Sequence, residues 1–242
     1  GAHEGVMDCL KHGSIPLQPN PDKNVEKKMV GGDGPLCLNI WVPRDATPRS
    51  RFPVMVWVPG GGSIRCAQND ERFDGTHFAA HGCILVTLAY RVNIDGFLKI
   101  RGGDSNLGVR DIIMGLRWVK DNIAAFGGDP ENVTIFGQSG GGMKVATLMN
   151  TPAADGLFQK GIIESGVYEA KVYQKEDGDG TAIVKALLKE LNLDESEVEK
   201  LETIPYYELS NAYNKVEAEV AAKGCYIGQG PMENGWFHGN PI

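Results

Sequence analysis

Residues 133–142 have the sequence VTIFGQSGGG, and this stretch decides the fold of the 242-residue chain. Its first four residues are apolar or β-branched, which is typical of a short strand buried on both faces. Residues 137–141 then form a G-x-S-x-G motif, and a helical segment follows. This context predicts a nucleophile elbow, a turn so tight that only glycine fits beside the serine. We therefore predict that Ser139 is a catalytic nucleophile, with a helix N-terminus beneath it that favours negative charge.

The same glycines have a competing interpretation as a phosphate-binding loop, because Gly137 and Gly142 have the spacing of G-x-x-x-x-G. In this chain, however, Met143 separates the glycines from Lys144. Val145 stands where such a loop needs Ser or Thr to bind Mg²⁺. Without the adjacent lysine and hydroxyl, nothing would hold a terminal phosphate, so this interpretation fails.

Other short apolar segments alternate with helical ones along the chain. We predict strands, all interior to a sheet covered on both faces, over residues 36–42, 53–58, 84–88, 133–136 and 161–163. Apolar periodicity predicts helices over residues 109–125, from Ser139 to 149, and over 181–191. The acidic stretch 194–202 is interpreted as a solvated helical face. Strands that alternate with helices imply an α/β fold with a mostly parallel sheet.

The two ends of the chain lack this periodicity. Residues 1–35 are rich in Gly, Pro, Asn and Lys, and we interpret them as an extended covering segment. Residues 224–242 return to a loop rich in Gly, Pro and Asn.

Composition and charge argue against several classes of partner. The chain has 24 basic and 31 acidic residues, a net charge of −7, and its basic residues are scattered. This argues against a nucleic-acid partner. No apolar run is long enough to span a bilayer, so no membrane partner is expected. No signal peptide is visible after Gly1, which favours a cytoplasmic over a secreted location without deciding the compartment.

Five cysteines stand at positions 9, 37, 66, 83 and 225, and none form a C-x-x-C pair. A structural zinc site is therefore not expected. The odd number and irregular spacing indicate mostly reduced, buried thiols. One bridge, such as Cys66 to Cys83, stays open as an alternative.

A second glycine cluster, Gly60-Gly61-Gly62, follows the predicted strand 53–58. Successive glycines at a strand end let backbone N–H groups point into a cavity without obstruction by side chains. Taken alone, an ordinary flexible loop is the simpler interpretation, but the elbow downstream reverses that preference. We predict that the N–H groups of Gly61, Gly62 and Gly140 form an oxyanion hole.

Several blocks of sequence, in this order, resemble the type-B carboxylesterase/cholinesterase family, in particular its bacterial para-nitrobenzyl-esterase-like branch. They are LNIWVP at 38–43, VWVPGGG at 56–62, YRV at 90–92, GFL at 96–98, NLG at 106–108, and LRWV through NIAAFGGDP at 116–130. The similarity runs from about residue 36 to 166, and more loosely to PMENG at 231–235. The resemblance implies a partial α/β-hydrolase domain over residues 1–242, with helices on both faces of the sheet. It also implies no cofactor, a Ser-Glu/Asp-His triad, and cleavage of small uncharged carboxylic esters through an acyl-enzyme.

The chain departs from the family pattern at several positions. Pro59 stands where the family usually has His or Tyr, and Gln138 replaces the common Glu before the nucleophile. DGPL at 33–36 replaces the usual EDCL, so the disulfide often built on that cysteine is expected to be absent. None of these changes removes a catalytic atom.

The family places its triad acid and histidine beyond the point that corresponds to Ile242. His238 is the sole histidine after Ser139. The order Ser…acid…His would allow His238 to act with Asp177 or Asp194, but a loop histidine without a catalytic role is the favoured interpretation. We therefore expect a complementary C-terminal segment or chain to carry the Glu/Asp and His.

The alternative hypotheses are a catalytically silent cholinesterase-like binding or adhesion module and an inactive truncation. Silent relatives often lose the nucleophile, whereas this chain retains Ser139 and the glycines around it. This retention favours a serine esterase.

Overall fold

The computed structural model describes residues 9–222 and 232–233, except residues 23, 25, 27, 33, 35, 101–102, 167–173 and 176–179. Most of the predicted loop 224–242, with Cys225 and His238, therefore lies outside the described residues. So does Asp177. The PMENG block is described only at its second and third residues.

The central sheet consists, in the described part of the chain, of β3 (Leu38–Trp41), β4 (Phe52–Val58), β5 (Ile84–Leu88), β6 (Gly128–Gln138) and β7 (Lys160–Glu164). Their spatial order is β3-β5-β4-β6-β7. The first pair is antiparallel and the other three pairs are parallel. The predicted α/β-hydrolase fold with a mostly parallel sheet is thus confirmed.

The interior strands follow from their apolar, β-branched sequences. All five residues of β5 are buried, and Val54, Val56 and Val58 of β4 are fully inaccessible. They pack with one face of the helix α3 (Leu107–Asn122), where Ile112, Leu116 and other apolar residues recur at helical spacing. Burial of this apolar area from both sides is the main force that stabilises the sheet.

Two of the strands predicted to be interior, β3 and β7, lie at the edges of the described sheet, where β3 pairs only with β5. The strand β7 pairs with β6, and no described strand lies on its other side. Its residues are mostly exposed, including Ile162 at 45%. The apolar residues of the segment could not distinguish a strand with two neighbours from one with a single neighbour.

Helices flank the sheet, and the described ones are α1 (Thr76–Ala80), α2 (Asn93–Phe97), α3, α4 (Gly140–Met149), α5 (Gly180–Glu190) and α6 (Tyr206–Ala222). Short 3₁₀ helices cover Glu71–Phe73, Ile123–Phe126, Pro152–Ala154 and Glu195–Thr203. The predicted helix 109–125 is therefore α3 plus a 3₁₀ turn. It ends at Gly127, whose φ of 86° suits glycine.

A second apolar cluster, separate from the one on the sheet, joins the later helices. Leu187 of α5 and Tyr213 of α6 are fully buried there, and Leu98 after α2 packs against the same group. The helix α6 was not predicted from the sequence. The acidic stretch is mostly exposed, as predicted, but Leu201 inserts into this cluster.

The segment before β3 forms a two-stranded ribbon. Its strands β1 (Gln18–Pro19) and β2 (Met29–Val30) pair in antiparallel fashion. The side chain of Gln18 is buried and forms hydrogen bonds with both the backbone N–H and the carbonyl of Cys66. Cys66 and Cys83 are both free thiols, so the bridge left open by the sequence is absent.

None of the helices in the described part of the chain combines the length and apolar character that crossing a membrane requires.

Candidate active site

Ser139 stands between the end of β6 and the start of α4, as the motif predicts. Its backbone has φ of 55° and ψ of −123°, a conformation that side-chain-bearing residues rarely adopt. Its N–H donates to the carbonyl of Glu164 on β7 at 2.8 Å, and its carbonyl accepts from the N–H of Met143 at 2.9 Å. These two bonds hold the strained turn and leave the serine side chain at the N-terminal end of a helix.

The glycines of the elbow are required by close contacts between backbones. A Cβ placed on Gly141 would lie 2.1 Å from the carbonyl oxygen of Val58, and one on Gly137 would lie 2.7 Å from the same atom. A Cβ on Gly140 would lie 2.9 Å from the amide nitrogen of Gly62. The elbow therefore packs directly on the end of β4 and on the glycine cluster that follows it.

The glycine cluster forms a tight turn beside the elbow. Gly61 has φ of 123° and Gly62 has φ of 61°, and the carbonyl of Gly61 accepts from the N–H groups of Ile64 and Arg65. Both glycines are exposed. Within the described residues, their N–H groups donate to no backbone carbonyl. These two amides, which have no backbone acceptor among the described residues, thus lie beside the N-terminus of α4. The first N–H groups of a helix have no partner within the helix.

A cavity of about 780 Å³ opens beside this turn. Gly60 and Gly61 form part of its wall, together with Gln138 and Glu164 from the elbow region. Trp57, Phe73, residues 65–67, 70 and 72, and residues of the N-terminal segment complete its described lining, and Ser139 is adjacent in sequence to the lining residue Gln138. Its volume falls within the range of small-molecule sites.

The charged groups of this cavity are mixed in sign. Arg72 forms an ion pair with Asp70 at 2.6 Å, and this hydrogen-bonded guanidinium lowers the pKa of the Asp70 carboxyl. Arg65 and Glu164 contribute one further charge of each sign. The described residues of the wall therefore carry no net charge, which suits an uncharged ligand.

Lys144 is fully buried on α4. From the sequence, this residue was considered only in connection with a phosphate-binding loop, an interpretation that was rejected. Its Nζ donates to the hydroxyl of Ser63, the residue that follows the glycine cluster. Burial lowers the pKa of Lys144 to about 7. A lysine inside the mostly apolar segment 143–149 was the signal that could have identified it.

No triad base is apparent beside Ser139 in the described part of the chain. No histidine lines the cavity. His12 contacts Asn39 and Trp41, and His77 and His81 stack on each other at the exposed surface of α1. The structure also gives no group of three or more metal-binding side chains among the described residues.

Together, the mostly parallel sheet, the strained serine turn between strand and helix, and the adjacent glycine turn define the α/β-hydrolase fold with its nucleophile-elbow geometry. Comparison with known proteins narrows the class. The carboxylesterase family model matches residues 2–241, and the chain belongs to that family.

Individual relatives agree with this assignment. The para-nitrobenzyl esterase of Bacillus subtilis is 39% identical over 218 residues, which are 88% of this chain and 44% of that protein. Rabbit (Oryctolagus cuniculus) liver carboxylesterase 1 is 47% identical over 134 residues, covering 54% of this chain and 23% of that protein. Among solved structures, an esterase from Clostridium hathewayi, described as able to hydrolyse aliphatic aromatic polyesters, superposes with a TM-score of 0.82. The two are 38% identical over 95% of this chain and 48% of that one. The chain thus spans less than half the length of the curated relatives it matches.

Proposed function

We propose that this chain is the nucleophile-bearing part of a serine carboxylesterase that cleaves small uncharged esters. The observation that carries the proposal is the strained turn at Ser139, packed against the glycine turn 60–62, in which the amides of Gly61 and Gly62 donate to no backbone carbonyl among the described residues. A conformation this costly persists where the surrounding structure enforces it, and such strain is concentrated at reactive sites.

The proposed reaction is acyl transfer through a covalent intermediate. The Oγ of Ser139 attacks the ester carbonyl while a histidine takes its proton, and that proton passes to the alcohol as the C–O bond breaks. Water then releases the acid from the acyl-enzyme. In the tetrahedral intermediate, the N–H groups of Gly61, Gly62 and Gly140 donate to the oxyanion, a role supported by their clustering beside Ser139.

The base and the acid are proposed to come from a complementary C-terminal segment or chain. This rests on the partial coverage of the relatives and on the lack of a histidine in the cavity wall within the described residues. A serine hydroxyl is a poor nucleophile at neutral pH unless a base takes its proton. The segment or chain that carries the histidine is therefore needed for turnover.

Labelling with a fluorophosphonate probe tests the nucleophile in the full-length enzyme. The probe should modify Ser139, as located by mass spectrometry of peptides, and Ser139→Ala should abolish labelling and esterase activity. Ser165→Ala is the matched control, because this exposed serine follows β7 and also has a positive φ of 49°. An adduct on any other serine of an active enzyme would contradict the proposal.

A complementation assay tests the origin of the base. Polypeptide 1–242 alone should hydrolyse p-nitrophenyl acetate no faster than buffer, and activity should return when the downstream segment is supplied. Turnover by the isolated polypeptide that is lost in His238→Ala would instead place the base within the chain.

A further inference from the structure

The buried lysine on the elbow helix has no role in the proposed acyl transfer. Lys144 is 0% exposed, and none of the ion pairs between described residues includes it. Burial of an ammonium without a counterion is costly, so a lysine here needs a compensating reason. Its position five residues after Ser139 places it on the same helix as the nucleophile.

The contacts of Lys144 lead to the glycine turn. Its Nζ donates to the hydroxyl of Ser63, which is completely buried and has a positive φ of 64°. The carbonyl of Ser63 accepts from the N–H of Asn93 at 2.7 Å. Both polar groups of Ser63 that could fix its position are thus bound, one by α4 and one by α2.

The other end of the glycine turn is held by the same buried cluster. The hydroxyl of Tyr90 donates to the carbonyl of Pro59 at 2.5 Å. The Nζ of Lys144 lies 5.9 Å from the centre of the Tyr90 ring and 4.9 Å from that of Phe97, within the range of cation–π contacts. Tyr90 and Lys144 therefore contact each other while binding the residues on either side of Gly60-Gly61-Gly62.

From this geometry we infer that Lys144 is a positioning residue that sets the distance between the glycine turn and the nucleophile elbow. The inference rests on the proposed function, because the amides it positions are the proposed oxyanion donors. Lys144 lies on α4, and Ser139 is the N-cap of the same helix. The hydrogen bond from Lys144 to Ser63 therefore connects the glycine turn to the helix that begins at the nucleophile. Such a link matters because donors misplaced by about 1 Å can cost about 100-fold in rate.

The variants Lys144→Met and Ser63→Ala, made singly and together in the full-length enzyme, test this inference with p-nitrophenyl acetate. Lys144→Met keeps the volume of the apolar stem and removes the donor. Active sites are counted by fluorophosphonate titration, so that kcat refers to folded enzyme. The matched control is Lys120→Met, which removes an ammonium from the exposed Lys120–Glu131 ion pair on α3.

We expect Lys144→Met to lower kcat by about 10- to 100-fold, with KM changed less than about threefold, because the donors act on charge present only in the transition state. The double variant should be no slower than the slower single variant, since both changes break one contact. Lys120→Met should keep the wild-type kcat.

Two results would overturn the inference while leaving the proposed function intact. One is a wild-type kcat per titrated site in Lys144→Met. The other is a double variant whose loss equals the product of the single losses. If the wild-type enzyme itself hydrolyses no ester, the proposed function fails instead. Should Lys144→Met not fold, Ser63→Ala alone must still lower kcat without changing KM.

Discussion

Gly140 and Gly62 lie in direct backbone contact, so that a Cβ on Gly140 would fall 2.9 Å from the amide nitrogen of Gly62. The two residues are 78 positions apart, and the contact joins the start of the elbow helix to the glycine turn. Because each carries an amide proposed to bind the oxyanion, their separation determines whether both can reach one oxygen atom.

Gly140→Ala should therefore separate the two amides. The new methyl group meets backbone rather than a mobile side chain, so the turn must move by several tenths of an ångström. We expect kcat to fall about 100-fold with a small change in KM, as when one oxyanion donor is lost. Gly156→Ala is the control, since its Cβ would meet no atom within 4 Å and its φ of 74° strains the local backbone without a steric clash. Equal kcat values for the two variants would contradict the prediction.

Gly61 and Gly62 should differ in their tolerance of alanine, although both have positive φ. A Cβ on Gly61 would lie 2.4 Å from the carbonyl oxygen of Arg65, whereas one on Gly62 meets nothing within 4 Å. Gly61→Ala should lower kcat by about 10²–10³ because the turn cannot close. Gly62→Ala should lose less than about tenfold, because alanine tolerates this left-handed conformation at about 1 kcal/mol. Steady-state kinetics on both variants would reveal the difference, and equal losses would contradict it.

Ser139→Gly should be more stable than Ser139→Ala, although both should be inactive. Alanine keeps the strained φ of 55° and ψ of −123°, while glycine adopts positive φ with little strain. We expect a difference of about 1 kcal/mol, since such strain costs about 1–3 kcal/mol and glycine loses more entropy on folding. Thermal or denaturant unfolding of the two inactive enzymes measures it. If alanine proved equally stable, the turn would not be strained.

The stability conferred by Lys144 should depend on pH. Its pKa of about 7 in the folded protein lies below the ordinary value of 10.5, so the unfolded chain binds the proton more tightly. The contribution of this group to the free energy of unfolding should then rise as pH increases from about 7 to about 10, by up to about 1.4 kcal/mol per pH unit. Below pH 7 both states are protonated and the contribution is constant at its least favourable value.

The neighbouring groups do not interfere with this titration near neutral pH. Burial raises the pKa of Cys66 to about 12 and that of Tyr90 well above its ordinary value, so both stay uncharged. The measurement is the difference in unfolding free energy between wild type and Lys144→Met at pH 6, 7.5 and 9. Lys120→Met should show no such trend. A difference that is flat with pH would mean that Lys144 keeps its ordinary pKa.

The features that could be predicted from the amino-acid sequence are those that depend on neighbours along the chain. The apolar runs located the strands of the central sheet, most clearly β5, whose five residues are all buried. The elbow at residues 137–141 was predictable for a similar reason, since a turn this tight excludes side chains within the motif itself. The glycine turn at 60–62 was predicted from the same type of local signal.

Contacts between residues far apart in the chain became known from the folded structure. It placed β7 at an edge of the described sheet, although its sequence resembles that of an interior strand. It also brought Lys144 to Ser63, 81 residues away, and Gly140 to Gly62. Contacts of this kind depend on how strands are ordered and how helices pack, and neither has a periodic signal in sequence. Lys144 is visible in the sequence as a charged residue in a mostly apolar segment. Its hydrogen-bond partner, Ser63, is brought close to it only by the folded arrangement of the sheet and α4.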